Sequence, residues 1–322
     1  MAAMSLRGLL FPKPGPFVAR MAVLAGVLPV IGWIGGKVWL LDLFNHFQVQ
    51  YAAVLTLCLM ALLVLKSWRL VALVALFMAV PLVRIAPLFP AGRAEPQGTV
   101  MRFATFNVLT SNQRYDEALK WIRETDPDVI FLPEVDETWA GALAPLRDSH
   151  PYFIDYPVEG NFGFAFYSKL PIVSREIIPS GQLELPLLKV MLAGAGGNFC
   201  FLGAHPVPPT TEFWASERNV FLKRIAEETA EEIWPVVVAG ELNATRWSHA
   251  MKPLFKAGLI DSARGRGIGA TWMAGNPLVA IPIDHLLYRG PRERPEAAAC
   301  GERWVGPELG SDHRPVVAEI GW

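Results

Sequence analysis

Hydrophobic positions divide this chain into two differently patterned parts. Residues 1–90 carry three nearly continuous apolar stretches, approximately Met21 to Leu41, Val49 to Leu65 and Leu70 to Leu88. Each approaches the ~20 residues that a helix needs to cross a bilayer. Lys37, Pro81 and Arg84 interrupt them, but so long an apolar run lacks the polar face of a soluble amphipathic helix. The expected element is a membrane anchor of three helices. From residue 100 onward the pattern shortens. Apolar runs of strand length, Met101 to Phe106, Val129 to Leu132, Phe199 to Gly203, Val236 to Val238, Leu286 to Tyr288 and Val316 to Ile320, alternate with amphipathic helical stretches at Tyr115 to Glu124, Ser216 to Ile233 and His249 to Ala257. Such alternation predicts mixed α/β layers. Periodicity alone leaves two packed sheets and a doubly wound sheet both open.

Charge follows the same division. Residues 1–96 hold 8 Lys and Arg against 2 Asp and Glu, net +6, whereas residues 97–322 hold 21 against 28, net −7. Arg7, Lys13 and Arg20 precede the first apolar stretch, and Lys66 and Arg69 sit in the second loop, while the first loop offers Asp42 and His46 with only Lys37. By the positive-inside rule, three crossings leave the N-terminus in the cytoplasm and the C-terminal domain outside it. Arg84 and Arg93 weigh against this. No small-x-small site suggests a cleaved leader. Pro87, Pro90, Gly92, Pro96 and Gly98 form a short linker, which gives an anchor at 1–90, a linker at 91–99 and a domain at 100–322. Cys200 lies in an apolar run where burial is expected; pairing with Cys300 is the alternative.

Polar residues cluster where the apolar runs of the domain end. Asn107, Glu134, His205-Pro206 and Gly240-Glu241-Leu242-Asn243 each follow a run; Asp284-His285 leads into one, and Gly310-Ser311-Asp312-His313-Arg314-Pro315 precedes another. Carboxylates, imidazoles and amides at neighbouring strand ends are the groups that bind a hard cation and attack a phosphate.

In that order, these clusters resemble the endonuclease/exonuclease/phosphatase superfamily, the metal-dependent phosphohydrolases related to DNase I, over Met101 to the C-terminus. The stretch Leu43 to Tyr51, LFNHFQVQY, and the segment Asn243 to Trp272 also resemble a bacterial membrane-anchored branch of it, one relative of which removes phosphate from a lipid pyrophosphate carrier. The resemblance implies a DNase I-like four-layer α/β sandwich, placed here behind an all-α transmembrane anchor. It also implies Mg2+ or Mn2+ as cofactor, with Asn107, Glu134 and Asp312 as metal ligands. His205, Glu241, Asn243, Asp284 and His313 are the implied catalytic residues, and Asn243 and Trp272 the substrate-binding ones. In these roles Asp284 fixes the tautomer of His313, which contacts the phosphate or carries a proton. His285 is assigned a structural role. Trp247, Thr271, Trp272 and Met273 are placed at the rim or in the core, Trp214 in the core or at an interface, and Phe162, Phe164 and Phe166 in the core.

One position departs from the family pattern. Gly-Asp-x-Asn is the usual motif, its Asp taking a proton from the attacking water, and here the acid is Glu241. Its extra methylene leaves three readings: a site shifted to fit Glu, a slow enzyme, or a substitution that traps an inactive form. A shorter acid, Glu241→Asp, is expected to be faster if the site keeps the family's geometry.

For substrate, a net negative domain without a basic run disfavours nucleic acid, because nucleases gain affinity by neutralising many phosphates. The expected partners are the lipid bilayer and a phosphorylated small molecule or lipid, with an isoprenoid pyrophosphate the most specific suggestion of the resemblance. The expected location is a multi-pass anchor in the inner membrane with a periplasmic catalytic domain. An extracytoplasmic nuclease and a phosphate-binding protein of little activity are the alternatives.

Overall fold

The computed structural model describes residues 14–89, 95–96, 98–276 and 278–322. Arg7, Lys13, Pro90, Gly92 and Arg93, used above for topology and linker, lie outside the described residues. Contacts separate the chain into Met1–Pro87 and Leu88–Trp322.

The first unit is helical: α1 (Pro14–Gly35), the short α2 (Trp39–Asp42), a 3-10 segment (Leu43–Phe47), α3 (Gln48–Val64) and α4 (Trp68–Ile85). Three segments, Gly15–Gly35, Trp39–Val64 and Trp68–Leu88, are long and apolar enough to cross a membrane. The first begins and ends earlier than the apolar run. Gly35 and Gly36 stop the helix, since glycine loses most backbone entropy there. Pro81 does not stop α4. The polar residues of the expected first loop are not loop-like: Asp42, Asn45, His46 and Gln48 are buried. Asn45 organises them, its amide donating to Gly32 O at 2.9 Å and to Asp42 Oδ1 at 2.8 Å, while Arg84 donates to its Oδ1. Polar groups among apolar helices must find such partners.

The second unit holds two six-stranded sheets. One runs in the order β11 (Ala299–Val305), β12 (Val316–Gly321), β1 (Val100–Thr105), β2 (Val129–Pro133), β4 (Phe164–Ser168), β3 (Tyr152–Tyr156). The other is β5 (Ile172–Ser180), β6 (Leu185–Gly194), β7 (Gly197–Ala204), β8 (Val236–Glu241), β10 (Asp284–Arg289), β9 (Ile260–Asp261). Their facing sides share one core, with Phe103, Phe131, Phe166 and Val316 from the first sheet against Leu188, Phe201, Val237 and Leu286 from the second. The outer face of the first sheet carries α5 (Tyr115–Thr125) and α6 (Glu137–Leu143) through Ile122 and Trp139. That of the second carries α7 (Glu212–Glu231) through Phe221 and Ile225, and α8 (Lys252–Lys256) through Leu254. This is the four-layer α/β sandwich that the family resemblance implied.

Strand β2 shows why the runs read as uninterrupted apolar. Val129 and Phe131 enter the shared core, Ile130 and Leu132 enter the core beneath α5 and α6, and all are buried. Helix α7 begins at Glu212, ahead of the expected Ser216, because the Thr211 hydroxyl caps it by accepting from Trp214 N at 3.2 Å. Phe164 and Phe166 are core residues as expected; Phe162 precedes the strand and lies only partly buried against the second sheet's core. Cys200 and Cys300 are buried free thiols, so the pair does not form a disulfide.

Candidate active site

Sheet topology brings the polar clusters to one edge. In the first sheet β1 and β2 are parallel and β12 runs antiparallel to β1, so Asn107 and Glu134, which follow strands, lie at the same edge as His313, which precedes one. In the second sheet β7 and β8 are parallel and β10 is antiparallel to β8. That places His205 and Glu241 beside Asp284, and Asp284 is paired in register with Glu241. Gly240 makes the approach of β7 and β8 possible: its φ is +138°, and a β-carbon there would stand 2.0 Å from Ala204 O. Glu134 and Asn243 take left-handed backbone conformations, φ +64° and +48°. Non-glycine residues held there mark turns whose surroundings fix them.

Glu241 is the hub. Its Oε2 accepts from Asn107 Nδ2 at 2.6 Å and stands 3.3 Å from His205 Nε2 and 3.5 Å from His313 Nε2. Asn107 also donates to Glu134 Oε1 at 2.8 Å, which lies 3.9 Å from His205 Nε2. Asp284 Oδ2 holds His313 Nδ1 at 2.8 Å, leaving Nε2 aimed at Glu241. Glu134, His205, Glu241, Asp284 and His313 are all buried.

The electrostatics follow from that enclosure. Burial works to raise the Glu241 carboxyl, but the His313 and His205 imidazoles and the Asn107 amide hold it down at about 2. Burial lowers His313, yet Asp284 and then Glu241 carry its imidazole up to about 10. His205 is raised, against its burial, by Glu241 and Glu134. Glu134 moves the other way from Glu241: burial dominates and raises it, with His205 and Asn107 only partly opposing. The difference is physical: both imidazoles stand within 3.5 Å of Glu241, whereas Glu134 has only His205 within 4 Å and is raised further by the Glu241 charge.

The remaining expected residues sit less centrally. Asp312 is exposed; its Oδ2 accepts from Trp272 Nε1 at 2.9 Å, and its Oδ1 is 4.0 Å from His313 Nε2. Trp272 therefore contacts a residue of the site loop directly. Asn243 donates its amide to Pro206 O at 2.9 Å. The Asn107 amide oxygen, expected on a metal, accepts from Leu109 N at 2.9 Å, and its amide nitrogen faces the two glutamates. His285 is structural as expected, its Nε2 lying 2.8 Å from Ala244 O. Thr271, placed at rim or core, is fully buried and accepts from Ile283 N and Asp284 N, both at 3.2 Å.

Two further positioning residues escaped the sequence reading. Ser311 Oγ donates to Asn107 O at 2.8 Å and accepts from His313 N at 3.0 Å, tying the loop after β1 to the loop before β12. Arg218 on α7, fully buried, donates to Asn243 O at 3.0 Å. Ser311 had a signal, being fixed between Gly310 and Asp312; nothing local marks Arg218.

Two clusters, Glu134 with His205 and Glu241, and Glu241 with Asp284 and His313, have ligand atoms close enough to share a cation. The donor types suit a divalent ion, and Glu134 Oε2 is buried without a hydrogen-bond partner, as an oxygen reserved for a ligand would be.

The Endonuclease/Exonuclease/phosphatase family matches residues 104–313, and the chain belongs to that family. It is accordingly a metal-dependent hydrolase of phosphate ester bonds. Several solved structures share the fold. Humanized D. rerio TDP2 is 19% identical with a TM-score of 0.59, over 70% of this chain and 100% of that one. An endonuclease/exonuclease/phosphatase from Beutenbergia cavernae is 20% identical with a TM-score of 0.57, over 70% and 72%. Sphingomyelinase C from Streptomyces griseocarneus is 19% identical with a TM-score of 0.51, over 69% and 99%. Among curated protein sequences, none matches the chain.

Proposed function

We propose that this protein is a membrane-anchored phosphohydrolase that cleaves a phosphate ester or pyrophosphate bond of a membrane-associated substrate, with an isoprenoid pyrophosphate the most specific case. The observation that carries this reading is one buried cluster of Glu134, His205, Glu241, Asp284 and His313 in a chain with three helices able to cross a membrane. An active site tethered by a short linker meets lipid head groups at high effective concentration. The anchor belongs in the inner membrane, with the catalytic domain in the periplasm, by the Lys and Arg distribution.

Glu134 and Glu241 would hold Mg2+ or Mn2+, which when bound neutralises phosphate charge and lowers the pKa of a water. Asn107 keeps the two carboxylates together. His313, oriented by Asp284, donates to a phosphate oxygen or passes a proton at Nε2. His205 donates from Nε2, which lies beside Glu241, and Trp272 contacts Asp312 on the loop that carries His313. The net −7 of residues 97–322 supports a substrate that offers few phosphates rather than a polynucleotide.

The test is phosphate release by the full-length protein in detergent, with isoprenoid pyrophosphates, phospholipids, mononucleotides and DNA, each with Mg2+, Mn2+ or EDTA. Lipid pyrophosphate is expected to turn over fastest, and EDTA to stop it. Glu134→Gln, which keeps shape but removes a ligand charge, should cost on the order of 100-fold or more. Faster cleavage of DNA would replace this reading with a nuclease.

A further inference from the structure

The edge of the sandwich that carries the polar clusters also carries exposed apolar side chains, on three separate loops. We infer that this edge is seated on the bilayer surface, with Val158, Phe213, Trp214, Ile268, Met273 and Leu278 entering the head-group region. The inference rests on the reading of a membrane-associated substrate and names the face of the domain that meets the lipid.

Strand direction puts the three loops at one edge. Strand β9 is antiparallel to β10 with Asp261 opposite Leu287, so the segment from Ser262 to Ile283 leaves and returns at the end where Asp284 sits. Within that segment Met273 N donates to Asp312 O at 2.8 Å. Strand β7 ends at Ala204 beside His205, and α7 starts at the same edge: Arg218 reaches Asn243 O at 3.0 Å, and Phe213 and Trp214 lie in the turn before it. The connection between β3 and β4 meets the loop after β1, where the Thr110 hydroxyl donates to Gly160 O at 3.0 Å, close in sequence to Val158.

Exposure and tethering together mark this edge as the one that faces lipid. From Gly267 to Ile283 the chain holds no Asp, Glu, Lys or Arg, yet Ile268, Met273 and Leu278 are exposed there, Leu278 by 79%. Scattered exposed apolar residues are ordinary on a soluble surface. Ile233 and Trp234, ahead of β8 at the opposite edge, are exposed as well. The tether distinguishes the two edges. Leu88 closes the last apolar segment and opens the second unit; it is buried, and its carbonyl accepts from Gly267 N at 2.7 Å. The chain therefore enters the domain at the uncharged, exposed loop. Trp214 suits that seat, because an indole can bury its ring while its N–H stays at the wet boundary. Grouped apolar side chains on an otherwise polar domain are the means by which a surface holds to a bilayer. A lipid substrate then reaches the site from the membrane plane, so these side chains govern KM for lipid rather than kcat.

The experiment reads contact with lipid directly. Full-length protein bearing a nitroxide at Leu278→Cys, Phe213→Cys or Ile233→Cys is placed in phospholipid nanodiscs; the native thiols are buried, and unsubstituted protein gives the labelling background. Labels at 278 and 213 are expected to relax more by collision with oxygen, which partitions into lipid, than with a water-soluble nickel chelate, and the label at 233 the reverse. Ile268→Asn combined with Leu278→Asn should raise KM for an isoprenoid pyrophosphate in nanodiscs about tenfold, leaving kcat and hydrolysis of a water-soluble phosphate ester unchanged. Labels at 278 and 213 open to nickel overturn the proposal. So does an unchanged KM, or spin–spin broadening at 278 showing that a second copy of the chain covers the edge. Lipid-protected labels without any phosphate release leave the seat standing and refute the phosphohydrolase reading; nickel-exposed labels on an active enzyme do the opposite.

Discussion

At the scale of single residues, the geometry around Glu241 shows how the longer acid is held. Its Oε2 meets Asn107 at 2.6 Å and lies within 3.5 Å of two imidazoles, so the surroundings fit the longer acid. These contacts support the opposite expectation for Glu241→Asp from the one drawn on the family motif. Withdrawing the carboxylate by one methylene gives up these contacts, and turnover should fall by about 10- to 100-fold, with Glu241→Gln slower still; a faster Asp variant of equal stability would show the site to be built for the shorter acid. The same residues set a pH dependence of stability without metal. His313 is raised to about 10, so the stability it contributes is complete below its ordinary value near 6.5 and drains away as pH rises toward 10. Glu241 is depressed to about 2, so its contribution holds above the ordinary glutamate range and is lost as pH falls toward 2. Glu134 runs against Glu241, since burial raises it and ionising it costs stability. Thermal unfolding of the metal-free protein should peak between about pH 5 and 6.5, and His313→Gln should flatten the alkaline side of the curve.

At the scale of elements, what was legible is the ends of strands, and what was hidden is what ties those ends together. Asn107, Glu134, His205, Glu241 and Asp284 could be found because an apolar run buried on both faces stops or starts at a polar residue, and that pattern is local. Helix α5 was legible for the same reason, its amphipathic period giving Tyr115 to Glu124 against an observed Tyr115–Thr125. Arg218 was not, because its partner Asn243 O is 25 residues away and a buried arginine on a helix looks like a solvated one. Nor was the buried junction of Asp42, Asn45, His46 and Gln48, whose polar composition reads as loop until the helices are packed. Ser311 links elements at opposite ends of the domain sequence, Asn107 being 204 residues away. Ser311→Ala strands the His313 N–H and the Asn107 carbonyl, a loss of about 1–3 kcal/mol. Because it loosens two catalytic loops without touching substrate, kcat should drop more than KM changes, and Ser311→Thr should restore most of the loss; equal kcat in the Ala variant would mean the loops hold without the hydroxyl.

For the whole molecule, direction across the membrane follows from which charges are free to stay in the cytoplasm. Lys66 and Arg69 occupy the turn between α3 and the start of α4 and are exposed, as topogenic charges should be. Arg84 counted against the assignment in the sequence, but the structure engages it with Asn45, within the same helical unit as the buried Asp42. A cation held among polar partners at a helix end is a weaker determinant than one in an open loop. That leaves Arg20 ahead of most of the first span and the Lys66 and Arg69 turn as the dominant signals, both on the same side. If all three helices span, the C-terminal domain is expected on the side opposite these charges. Alkaline phosphatase fused after Trp322 should be active in bacterial cells, and green fluorescent protein at the same position dark if exported unfolded. Moving the signal should move the domain: Lys66→Glu with Arg69→Glu should lower phosphatase activity of the fusion, whereas Arg84→Gln should leave it high. A fluorescent C-terminal fusion in the parent protein would place the catalytic domain in the cytoplasm and overturn the topology.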